Sequence, residues 1–151
     1  MRYAKLAFVF LGLAAILVAA EPFAGTWKLN SAKTKYKTGT APKEQTVTIT
    51  EAGTDLDVTL SGTAADGSAI MSHYTVPAQG GDGKIVQSTY EAVSGKRIGP
   101  NEREITYSKG GKAMLTAHSR VSADGKTLTV NVKGTDVQGK PVAGVAVYDK
   151  Q

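Results

Sequence analysis

The sequence predicts an all-β protein, in which residues 21–151 form a single antiparallel meander closing into a barrel of eight to ten strands. Residues 1–20 precede this domain as a cleaved signal peptide. Two observations predict the barrel. Apolar and polar residues alternate along most segments, as they do in strands with one buried face. Turn sequences separate these segments about every ten residues, which is typical of sandwiches and barrels.

The first twenty residues have the composition of an export signal. Arg2 and Lys5 provide a positive start, Leu6 to Val18 is almost wholly apolar, and small residues lead up to Ala20. These are the three features of a secretory signal peptide, and the small residues stand where a signal peptidase requires them. The apolar run is shorter than the about 20 residues of a membrane span. We therefore expect cleavage after Ala20 and an extracytoplasmic protein, periplasmic or secreted, with an uncleaved anchor as the alternative.

The strands follow from the alternation and from the turns between them. The clearest turn dipeptides, which tolerate positive φ angles, are Asp66-Gly67, Asp82-Gly83, Gly110-Gly111 and Asp124-Gly125. The predicted strands are 24–30, 43–51, 55–61, 68–76, 84–91, 101–108, 112–121, 126–134 and 141–149. One turn of helix is expected over Ser31 to Tyr36. Short links require antiparallel neighbours, and closure of the meander removes its exposed edges.

Composition and charge exclude several classes of protein. The chain has no cysteine, so neither disulfides nor lipid attachment at a cysteine is expected. The formal net charge is +5, and no Lys/Arg cluster is interleaved with aromatic residues, so we expect no nucleic-acid partner. Aromatic residues make up 7% of the chain, too few for the aromatic girdles of a membrane barrel. We therefore expect no integral membrane association after cleavage.

Both ends of residues 21–151 resemble known barrels. Gly25-x-Trp27 resembles the first-strand motif of the lipocalins and fatty-acid-binding proteins. The segments Val121–Val130 and Val147–Lys150 resemble small exported bacterial barrel proteins of unassigned function. The resemblance implies a lipocalin-like barrel of the calycin type, in which Trp27 packs across the closed end and the interior carries a small hydrophobic ligand. The last strand lacks the family's arginine over the tryptophan and the arginine-x-tyrosine that holds a carboxylate in fatty-acid-binding proteins.

A candidate ligand site follows from the phase of the strands. In strand 101–108, Arg103 and Tyr107 share a face with Ile105, so all three point inward if Ile105 does. A buried arginine requires a carboxylate, carbonyl groups, water or a ligand; the alternative is that Arg103 lies at the rim and reaches solvent. The predicted ligand-binding residues are Tyr74, Gln87, Arg97, Arg103 and Tyr107. Gln87 is in phase with Ile85, and Arg97 is placed in a loop at the barrel mouth.

No enzyme, metal or cofactor is expected. The sequence has no cysteine nucleophile, no G-x-S-x-G elbow and no P-loop. His73 and His118 are out of phase with the apolar residues of their strands, and Asp55 and Asp57 share an outer face.

Three functions remain open. The first is a carrier or sequestering protein for a small, partly apolar molecule. The second is a filled barrel that acts through its surface as an envelope or partner-binding protein. The third is an enzyme, which would need a pocket of titratable groups with perturbed acidity. A continuous void that reaches solvent favours the first, and close packing around Trp27 and Leu115 favours the second.

Overall fold

A computed structural model describes residues 19–151, so residues 1–18 of the predicted signal peptide lie outside the described range. The described chain consists of β-strands and the turns between them. The strands are β1 (Gly25–Leu29), β2 (Lys35–Thr38), β3 (Glu44–Ala52), β4 (Asp55–Thr63), β5 (Ala69–Pro77), β6 (Gly80–Asp82), β7 (Lys84–Gln87), β8 (Ala92–Gly99), β9 (Glu102–Lys109), β10 (Lys112–Val121), β11 (Thr127–Thr135) and β12 (Pro141–Lys150).

The strands form one antiparallel sheet that curls into a nearly closed barrel. Its order is β6-β8-β9-β10-β11-β12-β1-β3-β4-β5-β7, with β2 pairing with β12 outside this path. The last strand therefore meets the first, and Trp27 of β1 lies opposite Lys150 of β12. This confirms the predicted antiparallel barrel, although the described range holds twelve strand segments instead of eight to ten.

The segment 80–87 brings the two ends of the order together. Its first part, β6, pairs with β8, and its second part, β7, pairs with β5. Only Gly83 separates them, and its amide donates to the Val93 carbonyl at 2.8 Å. A Cβ at Gly83 would lie 2.3 Å from the Thr75 carbonyl oxygen, so the chain changes neighbours where only a glycine fits.

Three elements differ from the sequence prediction. The predicted strand 84–91 ends at Gln87. Residues 94–100 were expected to form the loop that holds Arg97, but residues 94–99 belong to β8. A Cβ at Gly95 would lie 2.7 Å from Val76 Cγ2, so this glycine permits a close approach within the barrel and does not mark a turn. Residues 31–33 form a turn that leads into β2, and the predicted helical turn over Ser31 to Tyr36 does not continue.

The alternation buries one face of each long strand. In β9, for example, Arg103, Ile105 and Tyr107 are buried and their neighbours are more exposed. The buried core includes Phe23, Trp27, Val47, Ile49, Leu56, Val58, Tyr74, Val76, Val93, Val121, Leu128, Ala146 and Tyr148. Within residues 19–151 no helix is long and apolar enough to cross a membrane.

Candidate functional site

The barrel encloses a cavity of about 460 Å³, a size within the usual range of small-molecule sites. Its inner end lies at Phe23 and Arg103, near the start of β9. Its outer end lies among Pro42, Ala69 and Thr89, at the opposite end of the barrel, where Ala69 begins β5 and the other two residues lie in loops. Met71 lines the same mouth and is 47% exposed, so the cavity is continuous with the surface there.

Trp27 closes the inner end of the barrel. Its side chain is fully buried, and its indole Nε1 donates to the Phe23 carbonyl at 2.9 Å. Lys150 Nζ lies 5.1 Å from the centre of the Trp27 ring, a cation–π contact. Gly25 has a φ of +136°, and a Cβ there would lie 2.7 Å from Lys150 Cε. The Gly25-x-Trp27 motif thus makes room for a lysine across the tryptophan.

Arg97 lies at this closed end and not at the mouth, which corrects the sequence prediction. The reason is that residues 92–99 form β8, whose last residues reach the end of the barrel that Trp27 closes. Arg97 Nη1 donates to Glu21 Oε2 at 2.8 Å, and Nη2 donates to the Pro100 carbonyl at 2.6 Å. Its Nε donates to the Gly99 carbonyl at 3.2 Å. Arg97 is therefore bound to its own chain.

Arg103 is buried at the inner end of the cavity. It is 4% exposed, so it does not occupy the rim position that was one of the two sequence alternatives. Its Cζ lies 5.3 Å from the centre of the Phe23 ring. Its Nε and Nη2 atoms have no hydrogen-bond partner among residues 19–151. Burial lowers the pKa of Arg103, yet a guanidinium stays protonated in proteins, so a buried positive charge remains.

Tyr74 and Tyr107 lie between Arg103 and the mouth. Their hydroxyl oxygens are 2.9 Å apart and share a hydrogen bond, and their rings are almost perpendicular with centres 5.7 Å apart. Burial is the main cause that raises the pKa of each hydroxyl, and that of Tyr107 lies well above the usual 10.0. Because one shared bond uses one of two hydroxyl protons, the pair retains a proton that can be donated to a ligand.

Three further tyrosines, Tyr36, Tyr90 and Tyr148, line the cavity and were missed by the sequence reasoning. Tyr148 donates to Gln45 Oε1 at 2.5 Å, and Tyr90 lies against Tyr107 with ring centres 5.2 Å apart. Tyr148 is in phase with Ala146 in β12, but valines occupy the alternate positions 145 and 147, so the sequence pattern does not show which of the two sets points inward. Tyr90 lies in the loop between β7 and β8, where side chains do not alternate between two faces and the sequence pattern gives no direction for them.

Gln87 does not join this site. It was expected to point inward in phase with Ile85, but the pairing of β5 with β7 shifts register between His73 and Tyr74. Ile85 therefore lies opposite Tyr74, whereas Gln87 lies opposite His73 and is exposed. Of the five predicted site residues, the structure brings together Tyr74, Arg103 and Tyr107.

Both histidines lie beside carboxylates, away from the cavity lining. His73 Nε2 lies 3.0 Å from Asp57, and His118 Nε2 lies 2.7 Å from Glu102. None of these four residues lines the cavity. In the part of the chain that the structure describes, no group of three or more potential ligands could hold a metal ion.

Comparisons with known proteins place this chain near no named family. No protein-family model matches it, and no curated protein matches it. A redesigned β-barrel, mFAP1, bound to DFHBI, is similar over 87% of this chain and 98% of its own, at 18% identity and a TM-score of 0.43. Zebrafish ileal bile acid-binding protein, complexed with cholic acid, is similar over 86% of this chain and 99% of its own, at 14% identity and a TM-score of 0.49. Both TM-scores are below 0.5, so the barrel assignment rests on the strand pairing of this chain.

Proposed function

We propose that this protein is an extracytoplasmic carrier or sequestering protein that binds a small, partly apolar molecule inside its barrel. The observation that carries the proposal is the cavity of about 460 Å³, which reaches the surface at Met71. Its lining is mainly aliphatic and aromatic, with a few polar groups, among them Arg103 at the inner end and Thr89 at the mouth. This combination is typical of small-ligand sites, in which apolar groups supply affinity and a few polar groups orient the ligand.

The alternative of a filled barrel agrees less well with the packing. Close packing around both Trp27 and Leu115 would favour a role at the outer surface. Trp27 is closely packed, but Leu115 is only half-buried and lines the cavity. The cavity therefore lies beside Leu115, where the filled-barrel alternative requires close packing.

The enzyme alternative finds less support in the acidities of the cavity groups. A general base or nucleophile functions best with a pKa near the working pH. The pKa values of Tyr74 and Tyr107 are instead raised above 10.0, away from neutrality. Neutral hydroxyls of this kind are suited to donating hydrogen bonds to a bound molecule.

Export is the second part of the proposal. Ala19 and Ala20 are exposed, and side-chain burial begins at Glu21 and is complete at Phe23. Cleavage after Ala20 would therefore remove the leader without removing a packed residue. Expression of the full chain in a bacterial host should give a periplasmic or secreted protein that begins at Glu21, as read by intact mass. Recovery of the uncleaved chain in the membrane fraction would contradict export in this form.

Binding can be tested with Nile red, an uncharged apolar dye, and purified residues 21–151. We expect its fluorescence to rise on binding to the native protein. Ala117→Phe places a ring in the cavity, since Ala117 is buried and lines it. We expect this variant to bind the dye at least about tenfold more weakly, because the ring occupies space the dye requires.

Ala113→Phe is the matched control, since it makes the same substitution on the same strand at an exposed position outside this cavity. It should bind Nile red as the native protein does. Equal dye affinity in both variants and the native protein would place the dye outside the cavity and contradict the proposal. Native mass spectrometry of protein isolated from its own host envelope would then identify the natural ligand.

A further inference from the structure

We propose that the cavity is a slot for a flat, uncharged ring system that carries an oxygen acceptor at each of two opposite edges, as quinones do. This inference rests on the proposed function, because it requires that the ligand occupy the cavity. It adds the shape of the ligand and the positions of its polar atoms.

The strand order places most polar residues of the lining on two opposite walls. The segment 80–87 joins β5 to β8, so the strands form a ring in which β1 is five steps from β8 in either direction. The polar lining residues on both sides of β8, which we call the β8 wall, are Ser72, Tyr74, Ser88, Tyr90 and Tyr107. Those on both sides of β1, which we call the β1 wall, are Tyr36, Gln45 and Tyr148.

The two sides between these walls are apolar at the same level of the barrel. One side is formed by β10 and β11, where Leu115 and Val130 line the cavity. The other side is formed by β4, where Val58 and Leu60 line it. A flat ring in this space would contact aliphatic side chains with both of its faces and would meet polar groups only at its edges.

The β8 wall offers hydrogen-bond donors to one edge of such a ring. The Tyr74–Tyr107 hydroxyl pair retains one proton, as described above. Ser88 Oγ accepts from Ser72 Oγ and from the Tyr90 amide, both at 3.2 Å, so the Ser88 hydroxyl keeps its own proton as well. These protons can be donated to an oxygen of the ligand.

The β1 wall offers donors to the opposite edge. Tyr148 donates to Gln45 Oε1 at 2.5 Å, which orients the carboxamide and leaves its Nε2 group without a hydrogen bond among residues 19–151. Tyr36 lies beside this pair because residue 144 is a glycine. A Cβ at Gly144 would lie 2.5 Å from Tyr36 Cγ, so the tyrosine ring takes the space of an inward side chain.

The polar groups of the two walls are uncharged and lie near each other across the cavity. Tyr148 raises the pKa of Tyr107 electrostatically, and Tyr74 acts in the same way on Tyr148, so these hydroxyls lie at a similar depth. Among the described residues that line the cavity, only Arg103 is charged, and its Nε and Nη2 atoms are enclosed by protein at the inner end. A ligand charge held between neutral walls would be costly, so we infer an uncharged ligand.

The first test compares 2-methyl-1,4-naphthoquinone, whose two carbonyls lie at opposite edges, with 2-methylnaphthalene, which lacks them. The chain has no cysteine that could add to the quinone. Displacement of Nile red from residues 21–151 measures both affinities, once the affinity of the dye for each variant is known. Gln45→Leu and Tyr74→Phe/Tyr107→Phe each remove the donors of one wall. Each should weaken quinone binding about fivefold, the usual value of one neutral hydrogen bond, without weakening hydrocarbon binding.

The matched control is Gln79→Leu, since Gln79 is exposed and lies outside the cavity. It should bind both probes as the native protein does. The variant that combines the changes in both walls should lose about twenty-five-fold in quinone affinity, because separate sites act additively in free energy. A loss for the quinone in only one of the two wall variants, or an equal loss for 2-methylnaphthalene, would overturn the inference.

The shape of the slot is tested with 2-methyldecahydronaphthalene-1,4-dione. This compound has the same two carbonyls on a puckered, saturated skeleton. We expect it to bind at least about tenfold more weakly than the quinone, because its thickness forces the two apolar sides apart. Equal binding of the flat and the puckered dione would contradict a flat slot.

A measurement on the native protein covers the case in which the wall variants do not fold. Both carbonyl carbons of ¹³C-labelled 2-methyl-1,4-naphthoquinone should shift downfield on binding, since each oxygen accepts a hydrogen bond. A shift of only one carbonyl would overturn the two-edge arrangement. If Nile red binds and the quinone does not displace it, the slot is rejected and the proposed function stands. If Nile red, the quinone and 2-methylnaphthalene all fail to bind, the proposed function fails as well.

Discussion

The two ends of the barrel are built from the same alternating strands but differ in how they are filled. At the closed end, Trp27 and Phe23 are fully buried, and Arg97 binds Glu21 and three backbone carbonyls. Towards the mouth, the inward residues surround a void of about 460 Å³, within the range of small-molecule sites. The difference indicates a division of roles, in which the closed end stabilises the barrel and the open half leaves room for a ligand.

Truncation of the closed end should have the largest effect on stability. Trp27→Ala removes a fully buried indole and its hydrogen bond to Phe23, so the free energy of unfolding should fall by about 3–5 kcal/mol. Leu115→Ala, in the wall of the cavity, should cost less than the usual 2–5 kcal/mol of a core leucine, because it enlarges an existing void. Urea unfolding of both variants measures the difference. Equal losses would mean that the two halves contribute alike.

The buried ion pair gives the next effect. Arg97→Met leaves the carboxylate of Glu21 without its partner, and removal of one member of a buried pair costs about 3 kcal/mol. The double variant Arg97→Met/Glu21→Gln should recover part of this loss, because it removes the uncompensated charge as well. Chemical unfolding of the single and double variants would show the recovery. A double variant no more stable than Arg97→Met would show that the backbone contacts of Arg97, and not Glu21, give it its structural role.

The buried tyrosines should determine how steeply the free energy of unfolding falls at alkaline pH. Burial is the leading cause that raises the pKa of all five tyrosines of the described chain, which are Tyr36, Tyr74, Tyr90, Tyr107 and Tyr148. Above about pH 10, the unfolded chain therefore holds fewer protons than the folded protein, and stability falls as pH rises. Each such proton steepens the fall by about 1.4 kcal/mol per pH unit.

Unfolding free energies measured at several pH values above neutrality would check this slope. Tyr107→Phe should make the alkaline decline shallower by about one proton. The stability of the native protein should change little between neutrality and pH 9 from this cause. A slope that Tyr107→Phe leaves unchanged would show that Tyr107 ionises as easily in the folded protein as in the unfolded chain.

Local periodicity was sufficient to predict part of the candidate site. Arg103 and Tyr107 share a face with Ile105, and Tyr74 shares a face with Val76. If Ile105 and Val76 point into the barrel, the other residues on the same face of each strand do so as well. In a strand, successive side chains point to opposite faces, and this holds for any strand partner. The sequence therefore predicted which residues share a face with Arg103, Tyr74 and Tyr107, but it left open whether Arg103 is buried or reaches solvent at the rim.

Gln87 and Arg97 show where local periodicity fails. Gln87 follows a register shift between β5 and β7, and such a shift depends on two strands that are far apart in sequence. Arg97 was placed in a loop over residues 94–100, a segment that contains two glycines and a proline. Gly95 instead lies against Val76 within the barrel, a contact that only the assembled sheet creates.

The sequence by itself predicted the antiparallel meander and the face that Arg103, Ile105 and Tyr107 share, because alternation and turn chemistry act over a few residues. Only the tertiary structure decided which arginine holds Glu21 and which is left with unpaired N–H groups. It also decided that the interior is hollow towards the mouth. Both outcomes depend on how distant segments meet, since charge pairing and cavity volume are set by side chains from strands that local sequence does not connect.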